Sequence, residues 1–155
     1  MTNGGAHPPS ESRPGRFSGS VRRLGVVYRE HTPDVLGVLD RLKDWAAARD
    51  ISVDVETEAG RGSGTALDLT KHPVDLVVAL GGDGTFLRAS RLAVGTDIPV
   101  VGVNLGRLGF LTAIPDVHLE EGLEKVVSGD AVIEHRFRLH ARIEIEGVIT
   151  GEEFY

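Results

Sequence analysis

An α/β fold, a Rossmann-like parallel sheet flanked by helices, is what this sequence predicts, on three observations. Short apolar runs alternate with segments of helical period from about residue 21 to 130. Most of those runs are nearly continuously apolar, as strands buried on both faces are. Two of them lead into glycine-rich turns, the connection expected at the carboxyl end of a parallel strand. After Gly129 the pattern changes to alternating residues, so the start of an antiparallel β domain is expected over residues 131–155.

The elements follow in order. Residues 1–20, rich in Gly, Pro, Ser and Arg, read as a disordered tail and carry no continuous apolar segment of a secretory signal. Leu24-Gly25-Val26-Val27-Tyr28 reads as a buried strand. Thr32-Pro33-Asp34 then supplies a hydroxyl cap, a proline in the first turn and an early acid. The helix it opens places Val35, Val38, Leu39, Leu42, Trp45 and Ala46 on one face. Ile51, Val53 and Val55 alternate with polar residues as a second strand does. Residues Glu56 to Gly64 read as a loop, and Thr65 to Lys71 as a short helix ended before Pro73.

Asp75–Leu80 is the next strand, followed by a helix from about Thr85 to Ala93. Ile98-Pro99-Val100-Val101-Gly102-Val103 is another strand, leading to the second glycine-rich segment. Asp116 is expected to cap a helix carrying Leu119, Leu123, Val126 and Val127, stopped by Gly129. Glu120, Glu121 and Glu124 read as its solvated face. Beyond it, Val132-Ile133 and Leu139 to Ile145 read as antiparallel strands with a turn near Gly147.

Composition narrows the function. The chain has 155 residues, of which 41% are hydrophobic and 26% charged. That is room for one domain of ordinary size. A formal net charge of −6 argues against a broad nucleic-acid-binding face. Cysteine is absent, so there is neither a disulfide framework nor a thiolate metal site, which fits a reducing cytoplasm. No window approaches the length of a membrane span. The histidines show no H-x-x-x-H pair, and metal binding by histidine is not expected.

The turn Gly81-Gly82-Asp83-Gly84-Thr85 carries the chemistry. Glycines let the chain turn tightly and bring backbone N–H groups up to an anion, and the following helix adds its positive end. Asp83 would repel a phosphate, so its roles are orienting or deprotonating a hydroxyl, or holding a metal ion. The turn is not a P-loop, since no Gly-Lys-Ser/Thr follows, nor the G-x-G-x-x-G dinucleotide fingerprint. One strand further on stands Gly102-Val103-Asn104-Leu105-Gly106-Arg107-Leu108-Gly109-Phe110-Leu111-Thr112, which should end beside the first turn.

Together the two segments resemble the NAD kinase family, whose signatures are a G-G-D-G-T turn and an N-x-G-x-L-G-F-L-T segment. Diacylglycerol kinases and phosphofructokinases share the G-G-D-G turn but lack the second segment. The resemblance implies phosphorylation of the 2′-hydroxyl of the adenosine ribose of NAD to give NADP, with ATP or polyphosphate as donor and Mg²⁺ on the donor. It implies that Asp83 activates that hydroxyl and that Gly81, Gly82, Gly84 and Thr85 form the turn beside the phosphates. Leu87 and Phe110 match apolar positions on the adenosine side. Asn104, Gly106 and Gly109 support the second segment. Arg88 and Arg107 read either as phosphate contacts or as solvated surface. The family also implies homo-oligomers and a C-terminal β domain bearing an Asn-Glu or Asn-Asp pair. Asn occurs here only at Asn3 and Asn104, and the chain is read as the N-terminal portion of such an enzyme. The alternatives are a non-catalytic module binding nucleotide or a partner, and a sphingoid-base or diacylglycerol kinase relative.

Overall fold

The computed structural model describes residues 15–17, 19–56, 67–69, 71–106, 109–136, 144–145 and 148–149. Five strands form one sheet: β2 (Arg23–Tyr28), β3 (Ser52–Glu56), β4 (Leu76–Leu80), β5 (Val100–Asn104) and β6 (Ile114–Pro115). Their order is β3-β2-β4-β5-β6 and every neighbouring pair is parallel, as expected. Register places Leu24 beside Leu76, and Val78 beside Val101.

Strand alternation sorts the core into two layers. Leu76, Val78 and Leu80 of β4 face one side with Leu24, Val26 and Val103. That face is covered by α1 (Val35–Ala47) and α3 (Leu119–Val127), through Val38, Leu39, Leu42, Trp45, Leu119 and Leu123. Val77 and Ala79 face the other side, where they meet Ala89 and Ala93 at α2 (Asp83–Leu92). Leu42, Leu119 and Leu123 are completely buried. Burial of each such side chain stabilises by about 1.5–3 kcal/mol.

Several boundaries differ from expectation, each for a local reason. Thr32 is not the cap of α1. A turn closed by Thr32 N–H on the Arg29 carbonyl comes first, and Asp34 occupies the cap position at φ 59° without a side-chain hydrogen bond. Asp is among the few residues that tolerate this left-handed conformation. Asp116 likewise makes no cap bond; it opens a 3-10 turn, Asp116–His118, ahead of α3. Gly129 follows α3 at a φ of 81°, the left-handed conformation in which glycine commonly ends helices. β5 starts at Val100 because Pro99 has no N–H to donate, although its carbonyl accepts from Val77.

The segment read as a tail is not tail throughout. β1 (Gly15–Arg16) pairs antiparallel with β7 (Val132–Ile133), and Phe17 is buried in the larger core layer. Glu56, read as the start of a loop, is the buried last residue of β3. Within the stretch read as a helix from Thr65 to Lys71, the Asp68 carbonyl accepts from Lys71 and His72, a single turn; residues 65, 66 and 70 lie outside the described residues. The expected loop at 57–64 and the strand over 139–143 also lie outside them. β8 (Glu144–Ile145) and β9 (Val148–Ile149) form an antiparallel pair with Ile145 opposite Val148.

Candidate functional site

In this strand order the chain leaves β2 for β3 on one side, then returns to build β4 and β5 on the other. The reversal opens a crevice at the carboxyl ends of β2 and β4, the place where open α/β sheets bind ligands. Tyr28 ends β2 and Gly81 follows β4. Burial, with the Glu30 carboxylate a smaller cause, pushes the Tyr28 phenol above its ordinary range, so it stays neutral.

Gly81 continues the ladder, its N–H donating to the Val103 carbonyl at 2.9 Å. Its φ of 154° disfavours any side chain, and a Cβ there would collide with Thr85 Oγ1. Thr85 is buried beneath Gly81, so its hydroxyl supports the turn from inside rather than lining its open face. Gly82 caps α2, its carbonyl accepting from Thr85 and Phe86 at 3.0 and 3.1 Å. Gly82 and Gly84 are exposed, and apart from their chain neighbours and the backbone of α2 no atom of the described residues lies within 4 Å of where their Cβ atoms would be. Packing among the described residues therefore gives no reason for either glycine.

Asp83 is the first residue of α2 and is half-buried. Its Oδ2 accepts from Phe110 N–H at 3.1 Å and its Oδ1 from Leu111 N–H at 3.0 Å. The two glycine-rich segments, 27 and 28 residues apart at these contacts, thus meet at one carboxylate. Asn104 is buried, and its side-chain oxygen accepts from Gly106 N–H at 3.2 Å. It shapes the second turn as an Asx turn does. Gly106 is exposed with open space around it. Phe110, 95% exposed, and Leu87, 43% exposed, leave apolar surface on the two segments that meet at Asp83. Arg107 lies outside the described residues.

Arg88, read as either a phosphate contact or solvated surface, is largely buried and engaged by protein groups in this structure. Its guanidinium donates to Glu56 Oε1 at 2.7 Å and to the Tyr28 carbonyl at 3.4 Å, with the Arg88 and Glu56 side chains only 12% and 4% exposed. Arg88 ties α2 to the ends of β2 and β3. No sequence signal could have found Glu56, because nothing near it points to a partner 32 residues away.

Thr112, also buried, lines with Asn104, Pro115 and Asp116 a cavity of about 190 Å³ at the ends of β5 and β6. A larger groove of about 540 Å³ runs between β6 and α3 and includes no residue of either glycine turn. Among the described residues no three His, Cys, Asp or Glu side chains gather to hold a metal ion, and no helix is long and apolar enough to cross a membrane.

Comparison with known proteins puts this geometry in context. Residues 24–131 match the family model described as the ATP-NAD kinase N-terminal domain. The chain is 40% identical over 129 residues to the NAD kinase of Heliobacterium modesticaldum, covering 81% of this chain and 46% of that protein. It is 37% identical over 133 residues to an NAD kinase of a Shewanella species, covering 83% and 43%. A crystal structure of yeast NADH kinase complexed with NADH has the same fold, with a TM-score of 0.67 at 19% identity, covering 96% of this chain and 50% of that one. This chain spans less than half the length of these two NAD kinases.

Proposed function

This chain belongs to the NAD kinase family, and on that premise we propose that it transfers a phosphoryl group to the 2′-hydroxyl of the adenosine ribose of NAD. ATP carrying Mg²⁺, or polyphosphate, is the donor. The observation that supports this reading most is Asp83, a carboxylate at the start of a helix in an open glycine turn, held by two backbone N–H groups of the second segment. A carboxylate offers about four acceptor positions, so about two remain for a substrate hydroxyl.

In the proposed step Asp83 accepts the 2′-hydroxyl proton as that oxygen attacks the terminal phosphorus of the donor. The new O–P bond forms while the bond to the bridging oxygen breaks, and ADP or a shortened polyphosphate leaves. The N–H groups around Gly82 and Gly84, with the positive end of α2, attract the phosphates. Leu87 and Phe110 offer apolar surface to the adenosine. Mg²⁺ bound with the donor would neutralise part of the charge on its phosphates.

The test is NADP formation by the purified chain with NAD and either donor, read through an NADP-specific dehydrogenase. Asp83→Asn is expected to slow turnover by about 10²- to 10⁴-fold while NAD still binds. Unchanged turnover would remove Asp83 from the reaction. NAD binding without NADP formation by the unsubstituted chain would mark it as a binding module.

A further inference from the structure

We infer that Arg88 and Glu56 are a positioning pair for Asp83, an inference that rests on Asp83 being the reacting carboxylate. α2 is the rod that connects them. It starts at Asp83, and Arg88 lies a little over one helical turn further along the axis. Arg88 reaches from this helix past the end of β2, at the Tyr28 carbonyl, to the end of β3, at Glu56. It therefore fastens α2, which follows β4, to the carboxyl ends of the neighbouring β2 and of β3 beyond it. At the other end of the same short rod, the Asp83 contacts to Phe110 and Leu111 are 3.1 and 3.0 Å long. Hydrogen bonds weaken steeply when a donor and acceptor are displaced or misaligned.

Stability alone explains the pair poorly. Removing two charges from water is costly, and the attraction offsets that cost only when geometry is excellent and the remaining polar atoms are satisfied. Here one Glu56 oxygen, Oε1, takes the guanidinium contact, while the other, Oε2, is buried with no hydrogen-bond partner among the described residues. An apolar pair of similar volume would hold the same space at lower cost. What it would lack is direction: a guanidinium drawn at once to a carboxylate and a backbone carbonyl fixes the rotation and axial position of the helix that carries it.

The experiment follows amide hydrogen exchange at Phe110 and Leu111, the two N–H groups that donate to Asp83, by NMR on the full chain. Asp83→Ala gives the exchange rate without the carboxylate. In the double variant Glu56→Leu/Arg88→Leu, which keeps volume and removes both charges, the fold is expected to persist, judged by unchanged exchange at Val77 and Val101 in the sheet. Protection at Phe110 and Leu111 is expected to fall by about tenfold toward the Asp83→Ala level. The conservative Arg88→Lys, which keeps the charge but not the two-armed reach, is expected to fall between. Full protection at both amides in the double variant would overturn the inference; should that variant unfold, full protection in Arg88→Lys would do the same. The readout needs no turnover. A chain that makes no NADP yet loses this protection would sink the catalytic reading and keep the pair.

Discussion

Gly109 has no side chain because the Asp83 carboxylate occupies the space one would fill: a Cβ there would overlap Asp83 Oδ1 and lie 2.8 Å from Thr112 Oγ1. Gly109→Ala must push the 109–111 backbone away from the carboxylate, which breaks the hydrogen bonds that join the two segments. The expected result is a loss of about 1–3 kcal/mol in denaturant unfolding, with NADP formation lost alongside. Gly84→Ala is the opposite case. Its Cβ meets open space in the first turn of α2. The substitution is expected to stabilise by about 0.5–1 kcal/mol while weakening binding of the phosphate donor. Opposite signs on stability, with function impaired in both, would separate a glycine needed by the fold from one needed by a ligand. The place of Asp83 in the glycine turn is legible in the sequence, and so is the second segment that ends beside it. The role of Arg88 is not, because its partner is remote and no local pattern distinguishes a buried arginine from a surface one.

Two ion pairs join α1 and the turn that follows it to α3. Arg41 grips Glu120 with both arms, Nε to Oε1 at 2.9 Å and an amino nitrogen to Oε2 at 2.6 Å. Arg49 holds Glu124 at 2.7 Å while stacking over the Trp45 ring at 4.7 Å. Glu120 and Glu124 are therefore bridges rather than a merely solvated face; Glu121 pairs within its own helix with Lys125. Hydrogen bonds from Arg41 hold the Glu120 carboxyl below the usual carboxylate range. Its folded pKa is thus below its unfolded one, so the stabilisation is complete above the ordinary range and disappears as acid carries the pH down through the folded value. Both side chains are over 40% exposed. A pair so open to solvent contributes about 0.2–1 kcal/mol. Glu120→Gln is expected to lower the melting temperature near neutrality, and thermal scans at about pH 3 should show the gap shrinking. An equal gap at both pH values would assign the effect to packing. Apolar periodicity reveals α1 and α3 at once, because each buries one long face. It could not reveal β1 and β6, which are two residues long and exist only through their pairing partners, whereas β7 is the antiparallel strand expected at Val132-Ile133.

At the scale of the whole molecule, the order β3-β2-β4-β5-β6 places the first glycine turn beside the crevice and the second one strand away. Alternating apolar runs foretell the parallel sheet, and the two motifs foretell that their turns meet. How they meet is invisible in the sequence, since backbone N–H groups belong to nearly every residue and only folding aims Phe110 and Leu111 at Asp83. The central claim is that this carboxylate faces the 2′-hydroxyl of the adenosine ribose of NAD. Titration calorimetry of NAD and of its 2′-deoxyadenosine analogue, each onto the unsubstituted and the Asp83→Asn chain, measures that contact directly. Deleting the hydroxyl is expected to weaken binding to the unsubstituted chain by about tenfold or more, the worth of a hydrogen bond to a charged group, and to matter little once Asp83 is gone. Equal losses in both chains would contradict the contact.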